Sequence, residues 1–213
     1  MKIMMLSDNI ASENSYMIIQ KNDVIIIDPG FNGEAILKII DDKELTILSV
    51  LLTHGHYDHI RDLRVLKDKG TYPLYIHELE QDFLLNNNLN GSRYFNGNFT
   101  LKKDQSVLTY KDNDVLSFNE ISLQVFHTPG HTKGSSCFLL KNNLFSGDTL
   151  FSDSIGRSDL ETGSMKDLKK SLQRLSDKIS NEVMVFPGHN EQSLMSSIKK
   201  SNRIFMNFTG FNK

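Results

Sequence analysis

The chain has 213 residues, 38% of them hydrophobic and 23% charged, with a formal net charge of −2. That is long enough to bury a core and lacks the basic excess of a nucleic-acid or membrane surface. Its single cysteine, Cys137, excludes a disulfide framework and a cysteine-based structural zinc site.

The opening MKIMML is too short and too quickly polar for a signal peptide. No apolar run approaches the roughly 20 residues of a membrane span, so the expected location is the cytoplasm. SYMIIQ (Ser15–Gln20) and VIIID (Val24–Asp28), separated by Lys21 to Asp23, predict an antiparallel hairpin ended by DPG. EAILKII (Glu34–Ile40) has helical spacing. LTILSVLLT (Leu45–Thr53) is apolar and β-branched and predicts a strand buried on both faces. DLRVLKDKG (Asp62–Gly70) reads as a short helix stopped by Gly70. YPLYIH (Tyr72–His77) reads as a strand and ELEQDFLL (Glu78–Leu85) as a helix. The polar stretch Asn86–Thr100 is expected to be a long surface loop, and structureless loops of that length are often functional.

VLSF and ISLQVFH flank Asn119–Glu120 as a hairpin. SSCFLL and NLFSG flank Lys141–Asn142 as another, which would bury Cys137 as a small hydrophobe. SMKDLKKSLQRL predicts a helix with Met165, Leu168, Leu172 and Leu175 on one face. Ser164 is its N-cap, with Asp167 three residues on. VMVF is a last strand and SLMSSIKKSNRIF a closing helix. Two packed sheets with helices outside would bury this pattern. No linker composition divides it, so residues 1–213 are read as one domain.

LLTHGHYDHI places three of the seven histidines and an aspartate within six positions. His54 and His56 lie two apart just past a strand end, and residues two apart in extended backbone face the same way. Asp58 and His59 follow through a turn and aim from another direction. Neither pair closes a metal shell. Further donors stand at three other strand-end turns: His131 in TPGHTKG, Asp148 in LFSGDTLF and His189 in VFPGHNE. Five imidazoles and two carboxylates suit Zn, and also Fe or Mn. Seven donors fit two divalent ions about 3.5 Å apart if one carboxylate is shared. Asp148, the single aspartate of its own loop, is the natural bridge.

THGHYDH, TPGHTKGS, GDTLF and PGH, in this order and spacing, resemble the metallo-β-lactamase superfamily over nearly the whole chain. GDTLFSDSIGRSDL is similar to its glyoxalase II-like branch, the hydroxyacylglutathione hydrolases. The resemblance implies an α/β fold, a four-layer αββα sandwich with metals at one edge of the two sheets. It implies that His54, His56 and His131 hold one ion, that Asp58, His59 and His189 hold the other, and that Asp148 bridges them. The implied activity is thioester hydrolysis: a bridging hydroxide attacks an S-acyl carbonyl such as that of an S-lactoyl thiol, and Asp58 accepts a proton or holds the water. Asp28, in IIIDPG, would orient a ligand histidine. On its own it also reads as a strand-ending Asx turn.

The chain departs from that pattern in two places. Relatives that bind glutathione firmly carry a helical C-terminal extension, whereas 24 residues follow His189 here. Asn190 stands where glycine is usual. Substrate contacts would then come from Tyr94 in the Asn86–Thr100 loop, and from Lys133 and Arg157. Arg157 would equally pair with Asp159 or Glu161. Alternatives on the same fold are an Fe(II) persulfide dioxygenase using His54, His131 and Asp148, and a lactonase or other ester hydrolase. The expected partner is a small-molecule thioester, with no nucleic acid and no membrane, for a monomer or small homo-oligomer.

Overall fold

The computed structural model describes residues 1–95, 97–101 and 106–210. The chain divides into two compact units, Met1–Tyr110 with Phe118–Ile121, and Lys111–Ser117 with Ser122–Lys213.

The first unit is built on a sheet whose strands lie in chain order: β1 (Lys2–Ser7), β2 (Asn14–Gln20), β3 (Asp23–Ile27), β4 (Thr46–Leu51), β5 (Leu74–His77) and β6 (Val107–Tyr110). The first three are an antiparallel meander, and β3 to β6 pair in parallel. The predicted hairpin is present, with Tyr16 opposite Ile27. Lys21 takes the left-handed φ of 57° that a two-residue hairpin turn demands. β1 (KIMMLS) and β6 (VLTY) are not among the predicted strands, although both are rich in apolar residues.

Three short helices accompany this sheet: α1 (Gly33–Asp42), α2 (Tyr57–Ile60) and α3 (Leu63–Leu66). Ile36 and Ile40 of α1 and Leu63 and Leu66 of α3 pack with Met17, Val24, Ile26, Val50, Leu52, Leu74 and Ile76. Each fully buried side chain of this kind contributes about 1.5–3 kcal/mol. The residue before α1, Asn32, does not cap it. Instead the Gly33 amide donates to Asp62 Oδ2 at 2.8 Å. β4 is buried only from Ser49 onward, because Thr46 is exposed and Ile47 and Leu48 are half-buried. In β3, by contrast, Val24, Ile25, Ile26 and Ile27 all lack exposed surface.

Residues Glu78–Leu85 form a 3₁₀ rather than an α-helix. Its burial inverts expectation: Glu80 is 0% exposed and the neighbouring Leu79 is 46% exposed. The Asn86–Thr100 segment is also more than a surface loop, although its Asn96 lies outside the described residues. Phe99 and Asn90 are buried, and Asn90 Nδ2 donates to the carbonyls of Phe83 at 2.8 Å and Phe99 at 3.1 Å. A single internal amide thus satisfies backbone acceptors that a buried loop would otherwise leave unpaired.

The second sheet has the order β12-β11-β10-β9-β8-β7. Its strands are β7 (Val115–Phe118), β8 (Ile121–His127), β9 (Ser136–Leu140), β10 (Asn143–Gly147), β11 (Met184–Pro187) and β12 (Ser193–Leu194). β10 and β11 are parallel, and β8–β9, β9–β10 and β11–β12 are antiparallel. Cys137 is buried in β9, and burial pushes its thiol up to about 11.

Helix α4 (Met165–Lys178) is capped as expected: Ser164 Oγ accepts from the Asp167 amide at 3.2 Å and donates to Asp167 Oδ2 at 2.8 Å. Leu168, Leu172 and Leu175 are buried, but Met165 is 48% exposed. It occupies the first helical position, where the side chain tilts back past the packed face.

The closing helix is broken into α5 (Met195–Ser201) and α6 (Arg203–Thr209) at Asn202. Asn202 is 0% exposed. Its Oδ1 accepts from the Phe205 amide at 3.0 Å, and its Nδ2 donates to the carbonyls of Phe151 at 3.2 Å and Ser154 at 2.8 Å. An N-cap with two further buried partners outweighs continued helix. The tail, Phe211–Lys213, lies outside the described residues. Among the described residues, no helix is long and apolar enough to cross a membrane.

Asn202→Ala strands two carbonyls and an amide, so it should lower unfolding free energy by about 2–3 kcal/mol, against about 1 kcal/mol for Ser164→Ala. Urea unfolding of both variants checks the order; equal losses would mean that Asn202 acts as a cap alone.

Candidate metal centre

The HGHYDH turn leaves the end of β4 and leads into α2. His54 and His59 are fully buried and His56 nearly so. The alternation expected of His54 and His56 is met: His54 Nε2 stands 3.1 Å from His56 Nδ1. Nitrogens this close lie within reach of a single cation. His56 keeps extended backbone as the residue before α2. The turn then swings His59 to the other side of His54, with ring centroids 4.2 Å apart. Asp58 Oδ2 lies 4.0 Å from His59 Nε2, and its side chain is one-fifth exposed.

Asp28 governs this turn. It ends β3 with φ of 47°, a left-handed conformation that aspartate tolerates better than most residues. Its Oδ1 accepts from the Thr53 amide at 2.8 Å, and its Oδ2 from the Thr53 hydroxyl at 2.6 Å. Oδ2 also lies 3.0 Å from His59 Nδ1. A carboxylate there selects the tautomer with the proton on Nδ1 and turns Nε2 toward a metal. The Thr53 hydroxyl in turn stands 3.1 Å from His54 Nδ1. A second acid, which sequence reasoning misses, also supports the turn: Glu80 Oε2 accepts the Gly55 amide at 2.6 Å. One acid among the three of ELEQDFLL gives no signal by itself.

The second unit presents His131, Asp148 and His189. His131 and Asp148 are buried, and His189 is one-fifth exposed. Asp148 Oδ2 lies 3.4 Å from His131 Nε2 and 3.5 Å from His189 Nε2. One carboxylate oxygen is thus addressed by imidazoles from two separate turns, as a bridging ligand would be. His131 Nδ1 faces the Arg157 carbonyl at 2.7 Å, so its Nε2 is the nitrogen aimed at Asp148. Glycine is required behind this pair: a Cβ at Gly156 would meet the Asp148 carbonyl oxygen at 1.7 Å. The SIGR part of GDTLFSDSIGRSDL therefore acts through its backbone. Asn190 takes φ of 66°, the left-handed geometry natural to the usual glycine, so the substitution keeps that conformation.

The Arg157 guanidinium makes paired hydrogen bonds to Asp159, at 2.7 Å and 2.8 Å, and this bond holds the Asp159 carboxyl down to about 2. The structural pairing expected as one option for Arg157 is thus present. Tyr94 is 62% exposed and accepts from Arg93 at 2.8 Å. Lys133 is half-buried and its amide donates to Thr162 Oγ1 at 3.2 Å.

Buried imidazole and carboxylate donors, several of them turned by a hydrogen bond at the far side, suit divalent metal ions and have no thiolate to restrict the choice. Comparison with known proteins agrees. Residues 10–189 match the metallo-beta-lactamase superfamily. The chain is 34% identical to the probable metallo-hydrolase YqgX of Bacillus subtilis over 182 residues, covering 84% of this chain and 86% of that protein. The crystal structure of the BLEG-1 B3 metallo-beta-lactamase superposes with a TM-score of 0.88 at 31% identity, covering 96% of this chain and 99% of that one. TTHA1623, crystallised in a di-iron-bound form, gives 0.82 at 28% identity, covering 94% and 99%. The chain belongs to the metallo-beta-lactamase superfamily and has its fold, with two six-stranded sheets. Within that family it is a metal-dependent hydrolase.

Asp28→Ala removes the acceptor behind His59 and should weaken metal binding about 10–100-fold, measured by chelator competition. Unchanged affinity would reduce Asp28 to a strand-ending turn.

Proposed function

We propose that this chain is a dinuclear thioester hydrolase of the glyoxalase II type. In this reading His54, His56 and His131 hold one ion, Asp58, His59 and His189 the other, and Asp148 is shared. The observation that carries it is the placement of Asp148 Oδ2 at 3.4 Å and 3.5 Å from His131 and His189, the two histidines assigned to different ions. Zinc is the metal we assign; the di-iron form of TTHA1623 makes iron the first competitor.

Two bound divalent ions supply Lewis acidity and lower the pKa of water toward neutrality. The protein's own residues do the rest. The Arg157 carbonyl and Asp28 fix the tautomers of His131 and His59. Asp58, the more exposed of the aspartates, holds a water or takes its proton. A thiolate leaves without a strong general acid, which favours thioesters at a site whose proposed proton acceptor, Asp58, is a carboxylate. Tyr94 and Lys133 contact the substrate, and Arg157 reaches it from its pair with Asp159. The whole is placed in the cytoplasm, acting on a small-molecule thioester.

The purified, metal-loaded protein should contain two equivalents of metal and hydrolyse S-lactoylglutathione or other thioesters in a panel that also includes lactones. His56→Ala should cost more activity than the roughly 10–100-fold typical of an outer partner. The reading is lost if no thioester is cleaved while the iron-loaded protein consumes oxygen with a persulfide.

A further inference from the structure

We propose that Glu80 is a positioning residue for the His54–His56 pair. This rests on the reading of those two histidines as donors to one ion.

Gly55, the residue between them, is gripped from two directions by one segment. Its amide donates to Glu80 Oε2 at 2.6 Å, at the short end for a hydrogen bond to a carboxylate. A Cβ on Gly55 would stand 2.4 Å from Phe83 Cβ, so only glycine lets the Phe83 side chain close on this peptide. The Phe83 ring also lies 6.0 Å from the His56 ring. Glu80 and Phe83 belong to the 3₁₀ segment Glu78–Leu85.

That segment is tied down at both ends. His77 Nδ1 accepts the Leu79 amide at 3.2 Å, and the Leu84 carbonyl accepts the Leu101 amide at 2.7 Å. Glycine has the widest backbone freedom of any residue, and a wandering Gly55 would separate the two imidazoles. Holding its amide fixes the peptide from which both histidines depart, and so the 3.1 Å approach of their nitrogens. A carboxylate is expensive to bury. Here it is buried at 0% exposure while the adjacent Leu79 is left 46% exposed, so the segment is turned to deliver the acid. Asp28 acts on another part of the turn, touching His59 directly and reaching His54 through the Thr53 hydroxyl.

The decisive experiment titrates the chelator-stripped full-length protein with Co(II) and follows its d–d absorption. Wild type should take two equivalents; if it does not, the metal assignment fails, and Glu80 is not what failed. In a His189→Ala background, which retains the His54–His56–His131 ion, Glu80→Ala should weaken binding about 10–100-fold. Glu80→Gln keeps an acceptor oxygen and should restore affinity to within about threefold. In a His131→Ala background, which retains the other ion, Glu80→Ala should leave affinity unchanged. Equal weakening in both backgrounds, no weakening in either, or failure of glutamine to rescue overturns the proposal. If the alanine variant does not fold, Glu80→Asp, one methylene short of Gly55, carries the same expectation and the same overturning results.

Discussion

The structure of the first unit turns on the carboxylate of Asp28. It closes β3, where Ile27 pairs with Leu51 of the parallel neighbour, and its oxygens reach the amide and hydroxyl of Thr53 and the ring of His59. One side chain therefore couples the register of two strands to the tautomer and direction of the His59 imidazole. A shift of one residue between β3 and β4 would turn the side chains to the opposite face, and Thr53 and His59 would no longer meet it. The price is a left-handed φ at a non-glycine residue, a strain of the sort that persists where surrounding bonds over-determine it.

The second unit solves the same problem with main-chain atoms. His131 is oriented by the carbonyl of Arg157, and the turns bearing Asp148 and His189 are joined where the Gly188 amide donates to the Gly147 carbonyl at 2.9 Å. Glycines at 147 and 156 make these approaches possible. Such an arrangement gives the outer residues latitude: the side chain at 157 can change without moving the histidine, provided the backbone path is kept.

This difference explains what can be read from sequence. The donors are legible because histidine and aspartate at strand-end turns have few other reasons to cluster. The hairpins around Lys21, Asn119 and Lys141 and the Ser164 cap are legible because their signals are local. Glu80 is not, since its role depends on a segment that folds 25 residues from Gly55 and adopts 3₁₀ geometry. The carbonyl of Arg157 leaves no mark either, because a backbone acceptor is the same in every residue. The break at Asn202 is hidden because the residue's partners, Phe151 and Ser154, lie far away in sequence. Phe99 and Asn90 likewise turn a polar stretch inward through contacts that composition does not reveal.

A hydrolase of thioesters, as proposed for this chain, releases a free thiol at every turnover, and a reactive cysteine near the site would be open to thiol–disulfide chemistry with it. The lone cysteine of this chain is shielded from that traffic. Cys137 is fully buried in β9, its thiol is pushed up to about 11, and it donates to the Ser146 carbonyl at 3.6 Å. Thiol–disulfide exchange needs an accessible thiolate, and Cys137 offers neither the access nor the charge. The folded protein can therefore work among thiols and disulfides without forming mixed disulfides through its own chain.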